Sequence, residues 1–368
     1  MGILRSIDGN LPNVMSRMSA HTRAMMAVLP AGLARGHRGN PAAGLRVEHL
    51  YGTPVLLSGL ASLVLSKAEI SALHHHYKLN LERLQKLHRA SPEPVVCFLG
   101  GSLPLTALLH LRQLSLLIMI AHLGPDHVLH QLGSSVLSAA NPPSHSWFTQ
   151  VKNICSQYSL PDPLSILSSP PLKTSFKTKS KSKVMDFWES KLRAEASRLP
   201  SLQFFQQNFY SLSKPHPIWT TAGGNPYEVE KATIQARMIS GRYRTCWLSR
   251  HWSGDTSGFC SLPNCSTKQI PGTLQHILLE CQDLSPARSR VFSLWATFLK
   301  DKSSTFPLVK KYTLDSSPPQ FVQFLLDCSV FTYVISARQA EGDRVTNLYY
   351  DDTIFKYIFL FVNKYKYV

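Results

Sequence analysis

The sequence predicts a mainly α protein in two helical parts, the second stapled by a small zinc-binding module. Three observations predict it. Apolar residues recur at helical spacing between recognisable caps through most of the 368 residues. Three cysteines and one histidine gather within residues 260–281. Between the two parts, residues 165–185 combine Pro, Ser and Lys without a clear period, which reads as a basic linker.

Hydrophobic residues make up 44% of the chain, enough for each part to bury a core. Lys and Arg number 39 against 22 Asp and Glu, a formal charge of +17. That balance favours polyanionic partners, nucleic acid before anionic membrane, although a chain that is simply basic has the same composition. Seven cysteines, three clustered and four scattered among apolar residues, do not form the framework of a small secreted domain. They point to a reducing, intracellular compartment, nucleus or cytoplasm. The opening stretch "MGILRSIDGN" has no apolar core of signal-peptide length. The longest apolar run, 103–123, has Arg112 and Gln113 near its middle and reads as a buried helix, not a membrane span.

Residues 1–45 carry Gly, Pro and Arg without periodicity and read as loosely ordered. The first helical part spans 46–164. Ser66 and Glu69 form a capping box, after which Ile70, Leu73, Tyr77, Leu81 and Leu84 share one face. His74, His75 and His76 are consecutive, point around the helix and read as a half-exposed turn. Pro104 opens the next helix and Gly124 stops it. His127 and His130 read as surface histidines. A helix runs through Trp147, Phe148, Val151, Ile154, Cys155 and Tyr158 until the Pro residues at 161 and 163 end it.

In the linker, Lys173, Lys177, Lys179, Lys181 and Lys183 follow one another with no acid between. Lys177, Lys179, Lys181 and Lys183 are candidate nucleic-acid contacts; a nuclear-targeting run or a solvated connector fits the same residues. The second part, 186–300, begins with a helix over 186–199. A better marked one follows: Asn225 caps it, Pro226 and Glu228 sit in its first turn, Val229, Ala232, Ala236 and Ile239 share a face, and Gly241 closes it. Ser285 and Pro286 start a helix through Val291, Leu294, Trp295 and Phe298. Further apolar segments at 321–326 and 330–337 make 301–348 a set of C-terminal helices, and 349–368 is an aromatic, divergent tail.

The zinc module has its core within 237–300. Cys260-x4-Cys265-x10-His276-x4-Cys281 offers three thiolates and an imidazole, a closed tetrahedral set for one structural Zn2+ with no position left for water. Pro263 bends the first pair, Pro271 and Gly272 turn the chain back, and Thr273 caps a short helix carrying His276. The helix should end before Cys281, because a separation of five exceeds one turn. Three unrelated thiols and a core histidine are the competing explanation, and His251 is the substitute ligand if one of the four fails. Just upstream, Arg237, Arg242, Arg244 and Arg250 alternate with Tyr243, Trp247 and Trp252. Guanidinium groups contact phosphates and aromatic faces stack on unpaired bases, so these arginines are candidate contacts to RNA or single-stranded DNA. Core aromatics with covering arginines would give the same pattern.

"ATIQARMISGRYRTCWLSRHW", the Cys-Cys-His-Cys cluster with "HILLEC", and "SPARSRVF" together resemble the C-terminal tail of non-LTR (LINE-type) retrotransposon polyproteins. Residues 46–164 resemble the thumb-like helices that follow the reverse-transcriptase palm in that family. The resemblance covers roughly residues 35–348 and departs from the family in its first cysteine pair, spaced x4 instead of the commoner x2. It implies a chain without palm or endonuclease, a non-enzymatic remnant that binds nucleic acid, with no catalytic residues. The tetrapeptide at Tyr349, Tyr350, Asp351 and Asp352 matches a polymerase metal motif in spelling, but it follows the zinc cluster and lacks a third carboxylate and a palm, so it reads as coincidence. A zinc-stabilised module that binds a protein partner through exposed apolar helix faces, and a reading frame with no selected function, are the other readings.

Overall fold

A computed structural model of the chain describes residues 10–28, 39–141, 143, 145–205, 210–243, 245, 258–286, 288–289, 293 and 326. Among these residues every regular element is a helix, and the one extended pairing is an antiparallel bridge between Phe259 and Pro271. The mainly α class is therefore observed. The α-helices of five residues or more are α1 (Leu11–Val28), α2 (Pro41–Val47), α3 (Lys67–Leu84), α4 (Glu93–Gly100), α5 (Leu105–Ala121), α6 (Val128–Ser138), α7 (Trp147–Gln157), α8 (Pro163–Ser168), α9 (Lys173–Ser197), α10 (Pro217–Thr221) and α11 (Pro226–Ile239).

Local chemistry accounts for many of their ends. The capping box of α3 is complete: the Ser66 hydroxyl accepts from the Glu69 N–H at 3.2 Å, and the Glu69 carboxylate accepts from the Ser66 N–H at 2.7 Å. The same carboxylate accepts from the Asn10 N–H at the start of α1, so one side chain ties two helix starts. Asp162 caps α8 and Asn225 caps α11, each with Pro in the first turn.

Packing follows the apolar stripes. Leu73, Tyr77, Leu81 and Leu84 of α3 are buried. α4 buries every residue from Pro94 to Gly100, and α9 lies along α5. Gly133 of α6 is a contact glycine: a Cβ there would sit 2.6 Å from the Phe148 ring of α7. The apolar core runs without a break from Val14 through Trp188 and Trp219 to the three cysteines of the cluster. A polar pin crosses it. Trp188 Nε1 donates to the Tyr158 hydroxyl at 2.9 Å, and that hydroxyl lies 2.7 Å from His110 Nδ1. No single described helix is long and apolar enough to cross a membrane; α4 and α5 together pass by length and composition but are bent by 62°.

Three expectations are corrected. Within the segment read as loosely ordered, Leu11–Val28 is an 18-residue helix with Val14, His21 and Met25 buried. The segment read as a linker, 165–185, is mostly helix: it enters α8 and then the first half of the 25-residue α9. Phe176, Ser180 and Val184 continue the buried stripe of Trp188, Leu192 and Ala196, so packing on α5 overrides the weak local pattern of a Lys- and Ser-rich run. His130 is buried and bonds the Leu167 carbonyl at 3.1 Å, whereas His127 is exposed and caps α6.

A buried polar group went unforeseen in the sequence. After α2 the backbone makes a π turn, Glu48–Gly52, which points Glu48 inward. Its carboxylate lies 3.0 Å from His21 Nε2 and accepts from Thr53 Oγ1 and Asn80 Nδ2. His21 Nδ1 in turn lies 3.0 Å from His76 Nε2. Burial first, and the neighbouring His21 second, push the His76 pKa down to about 4, with Glu48 opposing.

Candidate metal centre

The four ligands predicted from spacing come together. Cys260, Cys265, His276 and Cys281 are all buried, and one ligand atom from each lies within 4.8 Å of the others. The sulfurs of Cys265 and Cys281 are 3.6 Å apart. A tetrahedral ion with metal–sulfur bonds of about 2.3 Å requires about 3.8 Å between sulfurs, so this pair is spaced for coordination. They are free thiols, not disulfides.

The turns that achieve this are those the residue types dictate. One turn of helix at Pro263–Ser266 carries Cys265, and the Cys265 N–H donates to the Leu262 carbonyl at 3.0 Å. Gln269 takes a positive φ of 51°, which turns the chain so that the Cys260 N–H reaches the Ile270 carbonyl at 2.8 Å. The bridge from Phe259 to Pro271 and the bond from the Gly272 N–H to the Gly258 carbonyl close this loop. Thr273 caps the next helical turn as its position predicts: its hydroxyl accepts from the His276 N–H at 3.1 Å. That turn widens into a π turn, His276–Glu280, and Cys281 itself is extended at φ −61°, ψ 122°. The helix thus ends before Cys281, as the separation of five requires. Asp283 then holds the two halves together, its carboxylate accepting from the Asn264 N–H and side-chain amide. No sequence signal singled out Asp283.

The electrostatics describe a site that wants a cation. Burial pushes the Cys260 thiol up to about 12, the backbone N–H of Leu262 opposes this, and the sulfurs of Cys281 and Cys265 add to it. Burial also raises Cys281, with Cys265 beside it. Burial lowers His276, with Glu280 opposing. The Cys260 and Cys281 thiols, which resist ionisation by themselves, ionise when a metal supplies the missing charge. The imidazole carries a second mark: both of its ring nitrogens are buried and neither has a hydrogen-bond partner. Buried polar atoms are rarely left so, and a metal on one of them satisfies it. The residues therefore fit one metal ion, with four protein ligands and no open position.

The candidate nucleic-acid contacts are distributed differently. Arg237 is exposed on α11, and its Nε donates to the Lys86 carbonyl at 2.9 Å. Arg242 is half-buried, and its Nε has no acceptor. Arg244 and Arg250, with Trp247, Trp252 and the reserve ligand His251, lie outside the described residues, as do Val291, Leu294, Trp295, Phe298 and 349–352. Lys177, Lys179, Lys181 and Lys183 are exposed on α9, but a helix divides them. Lys177 and Lys181 line one flank of the buried stripe and Lys179 and Lys183 the other, because neighbours on a helix are four apart, not two.

Compared with protein-family models, with curated proteins and with solved structures, the chain matches none.

Proposed function

We propose that this chain is a non-enzymatic nucleic-acid-binding protein, a remnant of a non-LTR retrotransposon polyprotein, in which one structural Zn2+ stiffens the segment that presents the arginines. The observation that carries the proposal is the closed Cys3His set directly beyond a basic, aromatic stretch. Three soft thiolates and an imidazole select zinc over harder cations, and a buried set with no open position suits structure, not catalysis. Arginines beside a rigid module then contact phosphates, and their partner is RNA or single-stranded DNA. The +17 formal charge supports the same partner.

The test has two arms. Elemental analysis of protein purified under reducing conditions should give one zinc per chain, lost in Cys281→Ser. Affinity for a labelled single-stranded oligonucleotide should fall with salt, by about 0.7 in log K per decade of salt for each phosphate contact. Absence of bound metal, or of any salt-dependent binding, overturns the proposal.

One observation favours a second reading, a zinc-stabilised protein-interaction module. Met119 of α5, Leu123 just beyond it, and Val128, Leu129 and Leu132 of α6 are exposed and apolar within fourteen residues of chain, a density of exposed apolar side chains that suits a protein contact. Binding of a defined protein that these residues mediate, without nucleic-acid binding, would select it.

A further inference from the structure

Two helix ends meet at a distance of 151 residues in the chain, and both end in the same way. At the end of α11, Gly241 takes a positive φ of 64°, the Gly241 N–H donates to the Met238 carbonyl, and the Arg242 N–H donates to the Arg237 carbonyl at 2.9 Å. This is a Schellman motif with glycine in the left-handed position. Glycine is also needed there for space, since a Cβ would lie 2.0 Å from the Ser201 carbonyl oxygen. At the end of α3 the motif repeats: the Lys86 N–H donates to the Arg83 carbonyl at 3.1 Å and the Leu87 N–H to the Glu82 carbonyl at 2.9 Å. Here the left-handed position, at φ 55°, holds a lysine. An L side chain pays steric strain in that conformation, and such strain collects at functional positions.

Arg237 joins the two ends through its bond to the Lys86 carbonyl. The result is a knot of cations. Lys86 is half-buried, and burial lowers its pKa, with Arg237 adding and Glu230 opposing. His88 is largely exposed, and the partial burial of its ring, then Arg242 and Arg237 nearby, lower its pKa. Cations at helix C-termini are ordinarily explained by the carbonyls they face. That explanation covers Arg237. It leaves Arg242 with a buried Nε that meets no acceptor, and it gives no reason for lysine where glycine would relax the turn. A polyanion at this junction accounts for the gathering of cations, because it neutralises charges that repel one another.

We infer that Lys86 and Arg242, with His88 beside them and Arg237 as the positioning residue, form a phosphate-binding face at the junction of α3 and α11 that holds the backbone of single-stranded nucleic acid. The inference rests on the nucleic-acid reading above and adds residues that the sequence pattern alone does not join.

The test uses full-length, zinc-loaded protein and a fluorescein-labelled oligouridine, with Kd measured by anisotropy over a range of salt. Lys86→Gly is the decisive variant. It relieves the left-handed strain, so its Tm should equal or exceed that of the parent, while its Kd should rise about fivefold and its salt slope fall by about 0.7. Arg242→Gln should weaken binding at least as much, with zinc content and Tm retained. Lys67→Ala removes the same charge from the opposite, exposed end of α3 and should leave Kd within about twofold. If the parent binds but Lys86→Gly and Arg242→Gln bind equally well, this face is wrong while the nucleic-acid reading stands. An equal loss in Lys67→Ala also overturns the face, because net charge alone would then explain binding. If the parent binds no nucleic acid, both readings fall. Binding of phosphatidylserine vesicles through Lys86 and Arg242 with no oligouridine affinity overturns the nucleic-acid assignment in favour of a lipid headgroup.

Discussion

Cys265 and Cys281 hold their sulfurs 3.6 Å apart inside the core, sixteen residues apart in the chain and without a disulfide between them. Two thiols so placed are a poor apolar pair and a good half of a metal site. Cobalt substituted for zinc should give the visible and thiolate charge-transfer bands of a tetrahedral Cys3His site. Cys265→Ser should abolish them and strip the zinc. Because metal binding to such a cluster is folding free energy, on the order of ten kcal/mol for small modules, chelation should lower Tm substantially. Unchanged melting after chelation would refute a structural role.

Thr273 is the helix cap on which His276 depends. Thr273→Ala removes the acceptor of the His276 N–H and should cost about 1 kcal/mol. It should also raise the zinc dissociation constant, because the imidazole loses its fixed backbone. Competition with a colorimetric chelator measures both parent and variant. Equal zinc affinity would show that the loop bonds to Cys260 and Cys265 suffice.

The polar pin through the core predicts a different loss. Tyr158→Phe removes the acceptor of the Trp188 N–H and the partner of His110 Nδ1, leaving both buried. The expected destabilisation is about 1–3 kcal/mol, read from urea unfolding without a change in m-value.

Stability should fall in acid through two histidines. His76 and His110 both sit at about 4, His110 through burial alone and His76 through burial and then His21. Unfolded histidine titrates near 6.5, so between about pH 6.5 and 4 the unfolded chain binds more protons and stability falls as the pH falls. The carboxyls of buried Glu82 and half-buried Glu195, raised chiefly by burial, act in the opposite sense just above their ordinary pKa of about 4.5, within that same range. A comparison with the parent isolates the histidine: His76→Gln should lose part of the parent's decline in Tm between pH 7 and 5. Identical pH profiles would assign the decline elsewhere.

The helical path of 173–197 is open to a direct check. Thr178→Pro lies on the exposed side of α9, where proline removes a backbone hydrogen bond, and should cost about 3 kcal/mol. In the parent, trypsin should cut slowly at Lys177, Lys179, Lys181 and Lys183 despite their exposure, because a helix must unfold locally before cleavage. Rapid cleavage there in the parent would restore the linker.

By itself the sequence determined what local chemistry determines. Ser66 and Glu69 specified the start of α3, Asn225 and Pro226 that of α11, and the spacing of Cys260, Cys265, His276 and Cys281 specified a ligand set together with the point where its helix had to stop. Each rests on groups within a few residues of one another, or on a donor set whose chemistry leaves few alternatives. The tertiary structure alone decided the rest. Lys173–Val184 has the composition of a connector, and only α5 beside Phe176, Ser180 and Val184 makes it a helix. His21, Glu48 and His76 are ordinary surface residue types until α1, the π turn and α3 close around them. Lys86 and Arg242 carry no shared signal in the chain, because the bond from Arg237 to the Lys86 carbonyl that joins their helix ends crosses 151 residues. Contacts that close long loops of chain leave no local pattern. They are set by which buried faces fit together, and so they become legible only once the core has formed.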